Sequence, residues 1–401
     1  MTPSTPVVAV WRSNWLPPSE TFIRDHIESL QRWRPLPVGL CSFDTRLGIE
    51  PAIAPFRVSG PVRRVGRLWR RVGYRGVYEA GLRRAGVSLV HAHFGPDALE
   101  VLPVARRMGL PLVVTFHGYD VTEAPLRPNG AEYIAALRDL FDYASLLLPV
   151  SAHNASKLEG LGAPADITRV HYLGIPRLPE AVSADVPHAS GSGAAVTAGG
   201  DGRSTLLFVG RLVEGKGIDD LIRAYAQLEP SLRAQVDVDI VGEGDERAAL
   251  EALAASVDGT VRFHGRRPPD EVARMMRSAT AFVGPSRRSS KGWVEGLGLV
   301  FLEAARAGVP TIGYRTGGIP EAVLDGETGL LVDPGDVDGL TAAMTAVVTD
   351  PQLRERLGRA GHERQRRDFD LLTQTARLEE IYDEVVARYA GGRATQGGTD
   401  A

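Results

Sequence analysis

The sequence predicts an α/β protein with two Rossmann-like, doubly wound domains that face a cleft. Short apolar runs alternate with amphipathic helical stretches, which is typical of parallel sheets covered by helices. This alternation stops at an Ala-, Gly- and Ser-rich segment and then starts again. The length of 401 residues is sufficient for two domains of ordinary size.

Residues 1–180 are predicted to form the N-terminal domain. Their apolar runs predict strands at residues 7–11, 36–43, 88–94, 111–118 and 144–151. Their amphipathic stretches predict helices at residues 21–33 and 97–108 and from about residue 153. We therefore expect a parallel sheet with helices on its faces.

Residues 181–204 have almost no large apolar side chain, so they predict a flexible linker. The C-terminal domain is expected at 205–370. Its strands are predicted at 205–211, 236–244, 261–265, 281–286 and 311–315, and its helices at 217–228, 245–257, 269–279 and 299–307. A last helix, within 371–390, is expected to cross back to the first domain. The tail 391–401 is expected to be disordered.

The composition argues against several classes of protein. The chain is 43% hydrophobic with a net charge of −3, so nothing in the overall charge favours nucleic acid. No apolar run reaches the ~20 residues of a membrane helix, and the N-terminus lacks the pattern of a signal peptide. Cys41 is the only cysteine, which excludes an intrachain disulfide and a cysteine-based zinc site. We expect a cytoplasmic protein.

One segment has a strong local charge. Between residues 57 and 84 there are nine arginines and one acidic residue, Glu79, interleaved with apolar side chains. As a helix, this segment would have a cationic face beside an apolar strip, a pattern that favours peripheral contact with an anionic membrane at its inner face. The alternative is a solvated basic helix or a patch for an anionic soluble substrate. Gly66, Gly73 and Gly76 weaken the helix that contact with lipid would require.

The stretch VEGLGLVFLEAARAGVP (294–310) is the most informative motif. Gly296-Leu297-Gly298 is predicted to be the loop at the N-terminus of a helix, where free N–H groups attract phosphate or sugar oxygens. Glu295 and Glu303 flank this loop, eight residues apart. Carboxylates repel a diphosphate, so we expect both to accept hydrogen bonds from hydroxyl groups.

The stretch FVGRLVEGKG (208–217) supplies positive charge. Arg211 ends a predicted strand, and Lys216 lies in the glycine-flanked loop before the next helix. Two cations at the carboxyl edge of a sheet are expected to bind a diphosphate and to stabilise its charge as it leaves. The Gly-Lys-Ser/Thr core of a Walker loop is absent.

These motifs resemble a known family. GRLVEGKG, the spaced glutamates of EGLGLVFLEAARAGVPTIGYRTGGIPEAV, and GETGLLVDPGD are similar to the retaining glycosyltransferases of the GT-B fold called family 4. In the N-terminal half, SETFI (19–23), VHAHFG (90–95) and TFHGYD (115–120) resemble the exopolysaccharide-type members.

The resemblance implies that residues 1–180 bind the acceptor and that residues 205–370 bind the nucleotide-sugar. It also implies a role for each matching residue. Glu303 would bind the ribose of the nucleotide, and Glu295 would hold donor-sugar hydroxyls with the N–H groups of Gly296, Leu297 and Gly298 behind the sugar. Arg211 and Lys216 would neutralise the diphosphate. His117 would face the donor sugar near the reacting carbon, and Asp120 would orient the loop of His117. No metal or other cofactor is expected.

One loop departs from the family pattern. Many relatives have a glycine pair in the first loop, whereas WRSNWLPPSET (11–21) contains no glycine. This difference concerns the acceptor rather than the donor. Ser19, Glu20 and Thr21 are candidate polar contacts, although Ser19 is equally compatible with a helix cap.

Several weaker signals have ordinary alternatives. His91 and His93 have strand spacing that suits either a metal site or, with no carboxylate beside them, a pocket at the end of a strand. GEGDER (242–247) lacks the third glycine of a dinucleotide fingerprint, which argues against an oxidoreductase. Asp237 and Asp239 lie inside a strand, so we expect no metal there. RRSSKGW (287–293) suits an anionic acceptor or a rim loop.

The sequence therefore predicts a retaining transferase of hexosyl or related groups. It would move a sugar from a nucleotide-diphosphate sugar to a glycan or lipid-linked hydroxyl, in surface-polysaccharide biosynthesis. The alternatives are a transferase with a small natural-product acceptor and a catalytically silent binding homologue, which would be expected to lose Lys216 or Glu295.

Overall fold

The computed structural model describes residues 5–17, 20–42, 47–54, 56–57, 75–177 and 203–396. The chain divides into two compact units. The first unit comprises Met1–Pro176 and Leu371–Ala401, and the second comprises Arg177–Asp370. The described residues contain no helix that is long and apolar enough to span a bilayer.

The first unit is built on a five-stranded parallel sheet. In spatial order its strands are β3 (Arg34–Val38), β1 (Val7–Trp11), β6 (Val87–His93), β7 (Leu112–Phe116) and β8 (Leu146–Pro149). A second sheet contains β2 (Asn14–Trp15), β4 (Cys41–Ser42) and β5 (Phe56–Arg57). The helices are α1 (Thr21–Ser29), α2 (Arg75–Ala85), α3 (Gly95–Met108), α4 (Tyr119–Thr122), α5 (Gly130–Phe141), α6 (Ala152–Gly160) and α15 (Leu371–Gln396).

The larger sheet separates two apolar cores, because successive side chains of a strand point to opposite faces. Val7, Ala9 and Trp11 of β1 pack in the core that includes α3 and α5. Val8 and Val10 pack in the opposite core, which includes α1 and α15. The last helix is thus an integral part of the first unit.

The second unit contains a six-stranded parallel sheet. In spatial order its strands are β11 (Thr260–Gly265), β10 (Val236–Val241), β9 (Ser204–Val209), β12 (Ala281–Gly284), β13 (Thr311–Tyr314) and β14 (Gly329–Val332). The helices are α7 (Ile218–Ala226), α8 (Pro230–Arg233), α9 (Arg247–Ala255), α10 (Pro269–Ser278), α11 (Leu299–Arg306), α12 (Ile319–Ala322), α13 (Val337–Thr349) and α14 (Pro351–Asp368).

Both sheets are doubly wound, which confirms the predicted fold class. The strand order reverses between β1 and β6 in the first unit and between β9 and β12 in the second. In open parallel sheets, ligands bind outside the carboxyl ends of the strands at such a reversal. Ligand-binding residues are therefore expected in the loops after β1, β6, β9 and β12.

Some bounds differ from the prediction. The first helix ends at Ser29 instead of residue 33, because the following residues turn extended and Arg34–Val38 pairs with β1. The helices α5, α13 and α14 and the strand β14 were not assigned from the sequence. The last helix continues to Gln396, beyond the predicted start of a disordered tail at 391, because extending a formed helix requires no new nucleus.

Two predicted segments lie largely outside the described residues. These are the linker, of which only residues 203 and 204 are described, and the part of the basic segment between 58 and 74. The described end of the basic segment is α2, on which Tyr78 and Leu82 are buried in the first core. Val77, on the same helix, is 55% exposed.

Candidate active site

The second unit brings Lys216 and Glu295 together. Lys216 lies in a short helical turn, Glu214–Lys216, in the loop between β9 and α7. Its ammonium group forms an ion pair with the Glu295 carboxylate and lies 4.9 Å from the centre of the Trp293 ring. Ser286 at the end of β12 lies 3.5 Å from the same carboxylate oxygen. Both ion-paired side chains are 14% exposed, so the pair is accessible but largely desolvated.

The loop of Glu295 leads directly into α11. Gly298 has a φ of +85° and precedes Leu299, the first residue of that helix. A left-handed residue at this position allows the chain to turn sharply into the helix. The predicted helix N-terminus is therefore present at the carboxyl edge of the sheet, beside the ion pair.

A glycine pair that the sequence analysis did not single out supports this loop. Gly317 and Gly318 follow β13, and the Gly318 N–H donates to the Glu295 carbonyl oxygen at 2.9 Å. A Cβ atom on Gly317 would overlap that carbonyl oxygen, and one on Gly318 would overlap the Gly296 carbonyl oxygen. The signal available in the sequence was Thr-Gly-Gly immediately after a predicted strand.

The other two predicted donor residues have different surroundings. Arg211 follows β9 and is exposed, and its guanidinium group forms no ion pair with a described residue. Glu303 lies on α11 and is half-buried between the buried residues Leu302 and Ala304. Both lie on elements next to the strand reversal of the second sheet.

The loop RRSSKGW is a rim that is bonded to neighbouring elements. Arg287 forms ion pairs with Asp219 and Asp220 at the start of α7. The Ser290 hydroxyl donates to Glu214 at 2.6 Å. These contacts hold the loop on which Trp293 and Glu295 lie. The charge of Arg287 is already paired with carboxylates.

The two strand aspartates have cationic partners, as expected of structural residues. Asp237 forms ion pairs with Arg203 and Arg262, both at 2.6 Å. Burial raises the pKa of Asp237, but these arginines outweigh it and hold the pKa below its usual value. Asp239 lies 3.5 Å from the Arg262 guanidinium group and 2.8 Å from Nε2 of His264.

In the first unit, Asp120 organises the loop that carries His117. Its fully buried carboxylate accepts hydrogen bonds from the N–H groups of Gly95, His117 and Gly118 at 3.1, 3.1 and 2.9 Å. The loops after β6 and β7 are thereby joined. Burial raises the pKa of Asp120 to about 6, although the three backbone N–H groups oppose this shift.

His117 contacts two aromatic rings, and one of its ring nitrogens is buried without a partner. Its ring centre lies 4.7 Å from that of Phe22 and 4.4 Å from that of Phe94. Its Nε2 atom lies 3.0 Å from Nδ1 of His93, while Nδ1 has no hydrogen-bond partner among the described residues. Burial and the charge of Arg12 lower the pKa of His117 to about 3, so the ring is neutral at pH 7.

The glycine-free first loop contains an ion cluster that the sequence analysis missed. Arg12, the first residue after β1, donates to both Glu20 oxygens at 2.8 and 2.7 Å and forms an ion pair with Asp97. Its guanidinium carbon lies 4.6 Å from the centre of the Phe94 ring. Glu20 is thus bound to Arg12, and Ser19 lies outside the described residues. The signal available was a charged residue directly after the first strand.

Similarity to known proteins shows the family of this chain. Residues 196–364 match the family described as Glycosyl transferases group 1, and residues 19–177 match Glycosyltransferase Family 4. A GDP-mannose-dependent alpha-(1-6)-phosphatidylinositol monomannoside mannosyltransferase from Mycolicibacterium smegmatis is 33% identical, covering 70% of this chain and 72% of the relative. A glycogen synthase from Mycobacterium tuberculosis is 31% identical, covering 74% of this chain and 68% of the relative.

Solved structures share the fold. HepE from Anabaena, in complex with UDP and glucose, has a TM-score of 0.71 at 18% identity and covers 94% of this chain and 99% of its own. Sucrose-phosphate synthase from Thermosynechococcus elongatus has a TM-score of 0.74 at 20% identity, covering 96% of this chain and 100% of its own. The chain therefore belongs to the group 1 glycosyltransferases and has their GT-B fold.

Proposed function

We propose that the protein is a retaining glycosyltransferase that uses a nucleotide-diphosphate sugar. The observation that carries the proposal is the Lys216–Glu295 ion pair, set in glycine-rich loops at the strand reversal of the second sheet. Two comparisons support the donor class. The relative from Mycolicibacterium smegmatis is named GDP-mannose-dependent, and HepE was crystallised with UDP-glucose.

In the proposed donor site, each charged side chain binds one part of the donor. Arg211 and Lys216 bind the diphosphate, Glu303 binds the ribose hydroxyls, and Glu295 binds hydroxyls of the sugar. The N–H groups of Gly296, Leu297 and Gly298 lie behind the sugar. When the donor enters, Lys216 exchanges the Glu295 carboxylate for a phosphate oxygen, so its charge stays paired and Glu295 becomes free for hydroxyl groups.

Transfer is proposed to proceed without a metal ion on the diphosphate, because the two cations stabilise the negative charge that develops there. The bond between the sugar carbon and the phosphate oxygen breaks, and the acceptor oxygen bonds to that carbon from the same face. The acceptor proton goes to the leaving phosphate oxygen. The neutral His117 ring is proposed to face the donor sugar near the reacting carbon, so the protein contributes positioning and electrostatics.

The acceptor is proposed to be a glycan or lipid-linked hydroxyl in surface-polysaccharide assembly. The relative from Mycolicibacterium smegmatis supports the lipid-linked class of acceptor, because its name contains phosphatidylinositol monomannoside. A small acceptor is the second candidate, since a 30% identical relative from Thermobifida fusca is named D-inositol 3-phosphate glycosyltransferase. A silent binding homologue would bind nucleotide without turnover.

The basic segment 57–84 is proposed to contact an anionic membrane surface, where such an acceptor would be found. Sedimentation with vesicles of phosphatidylglycerol and phosphatidylcholine tests this. Binding that depends on phosphatidylglycerol and falls as salt rises is expected. Equal binding to pure phosphatidylcholine vesicles would contradict it.

The function is tested by incubating the protein with panels of nucleotide-sugars and acceptors, followed by mass spectrometry and NMR of the products. A glycoside with the anomeric configuration of the donor is expected, together with free nucleoside diphosphate. An inverted product would contradict retention. Nucleotide binding without any product would identify the silent homologue.

A further inference from the structure

The first unit contains three buried histidines whose ring nitrogens converge. His91 and His93 are alternate residues of β6 and therefore share one face of the sheet. His26 lies on α1, which packs on that face. One ring nitrogen from each of the three lies within 4.8 Å of the others, and the side chains are 7%, 1% and 2% exposed for His26, His91 and His93.

One nitrogen of this cluster has no partner. Nδ1 of His93 lies 3.0 Å from Nε2 of His117, but Nε2 of His93 has no hydrogen-bond partner among the described residues. Leaving a buried polar atom unpaired costs about 1–3 kcal/mol. A group that bonds this nitrogen would remove that cost.

The remaining contacts of the cluster are with hydroxyl groups. His91 lies 2.6 Å from the Tyr382 hydroxyl through Nδ1 and 2.7 Å from the Thr115 hydroxyl through Nε2. Nε2 of His26 lies 3.1 Å from the same Tyr382 hydroxyl. A hydroxyl group rotates easily, so one ring nitrogen of His91 can be released while the other keeps its partner.

A small cavity adjoins the cluster. It has a volume of about 30 Å³ and is lined by His26, His91 and His93, together with Thr115 and His171. A cavity needs about 10–15 Å³ of such volume to hold one water molecule. The cavity therefore has room for a small ion or a water molecule beside the three rings.

We infer that His26, His91 and His93 form a binding site for a divalent transition metal ion, with Zn²⁺ as the expected occupant. Three imidazoles and a water molecule are an established zinc ligand set, and imidazole also suits copper and nickel, whereas magnesium and calcium prefer oxygen. Zn–N bonds of about 2.0–2.1 Å in a tetrahedron require nitrogens roughly 3.3 Å apart, so the rings turn inward on binding.

The proposed ion has a structural and a positioning consequence. It joins α1 to β6, and Tyr382 of α15 remains as an outer hydrogen-bond partner of the ligands. With the ion on Nε2 of His93, Nδ1 carries the proton and donates to Nε2 of His117. This fixes the proton of His117 on Nδ1. The metal site itself does not depend on the proposed transfer.

The test is metal analysis of the full chain, purified without a polyhistidine tag after growth with added Zn²⁺. About one equivalent of tightly bound zinc per chain is expected, and the apo-protein loaded with Co²⁺ should show the intense visible absorption of a four-coordinate site. His93→Gln, which keeps a side chain able to bond His117, should lower bound zinc at least about tenfold. His264→Gln, a histidine of the second unit, is the matched control and should bind zinc as the wild type does.

Two results would contradict the proposed metal site. Less than about a tenth of an equivalent of zinc in the wild type, with no visible absorption on adding Co²⁺, would overturn the site. So would zinc content that is equal in the wild type and in His93→Gln. If His93→Gln does not fold, the Co²⁺ spectrum of the wild type still decides, because an octahedral surface ion absorbs only weakly.

Discussion

At the scale of single residues, Glu295 has the most direct consequence for transfer. Its carboxylate bonds Lys216 in the described structure and is proposed to bind sugar hydroxyls in the complex. Glu295→Gln keeps the shape but loses the charge that orients both partners. We expect kcat/KM to fall by about 10²–10³ because preorganised charge is lost. The exposed Glu327→Gln is the control and should be active.

The melting temperature separates this effect from a loss of stability. The Lys216–Glu295 pair is largely desolvated, so its loss should lower the free energy of unfolding by about 1.5–3 kcal/mol, and kcat/KM is compared at a temperature at which both proteins are folded. Near-wild-type turnover by Glu295→Gln would show that Glu295 does not hold the donor sugar.

Asp120 predicts a measurable dependence of stability on pH. Its pKa of about 6 in the folded state lies above its ordinary value, so folding is disfavoured when the carboxylate ionises. This cost is present above pH 6 and disappears as the pH falls toward the ordinary value. Asp120→Asn does not titrate in this range. Relative to this variant, the free energy of unfolding of the wild type should rise by about 2 kcal/mol as the pH falls from 7.5 to 4.5.

Denaturant titrations of both proteins at the two pH values measure this difference. The comparison cancels the titration of every other group that the proteins share. A stability difference that is the same at both pH values would show that Asp120 does not have a raised pKa.

At the scale of structural elements, the glycine pair after β13 supports the loop before α11. Gly317 has a φ of +58°, and a Cβ atom there would overlap the Glu295 carbonyl oxygen. Gly317→Ala should therefore displace the Glu295 loop and reduce kcat/KM at least about tenfold. Gly326→Ala is the matched control, since Gly326 has a φ of +73° and no atom near its Cβ position.

The control distinguishes backbone strain from displacement of the loop. A side chain in the left-handed region costs roughly 1–2 kcal/mol at either position, and only Gly317→Ala should also lose activity. Equal activity of the two variants would contradict the role of the glycine pair.

The elements of the sheets could be predicted from the sequence more reliably than the site. Strands such as β1 and β12 are continuous apolar runs, and their burial on both faces makes them recognisable. The Glu295 loop was identified because glycine, helix start and carboxylate are adjacent in the chain. The Arg12–Asp97 pair and the glycine pair against Glu295 were missed, because each joins loops that are far apart in sequence and near only at the sheet edge.

At the scale of the whole molecule, the last helix completes the first unit although it follows the second in the chain. Leu378, Ile381, Tyr382 and Val385 are buried in the core shared with α1. One Glu379 oxygen accepts hydrogen bonds from the backbone N–H groups of Gln31, Arg32 and Trp33. Removing residues 371–401 should expose this core, and burying each such side chain is worth about 1.5–3 kcal/mol.

Calorimetry of the truncated chain tests this account of the two units. We expect the transition of the first unit to move to a much lower temperature or to disappear. The transition of the second unit, which contains none of these residues, should be unchanged. An unaltered first transition would show that the helix is dispensable for that unit.

The second unit is proposed to bind the nucleotide-diphosphate donor through Glu303, Lys216 and Arg211. The most direct test is isothermal titration calorimetry with UDP, GDP, ADP and dTDP, in the presence of EDTA, on the wild type and on Glu303→Ala and Lys216→Ala. One nucleotide is expected to bind the wild type despite EDTA. Each variant should bind it at least about tenfold more weakly, since one charge-assisted contact is worth about 1.5–3 kcal/mol. No binding by the wild type, or equal affinity in all three proteins, would contradict the donor site.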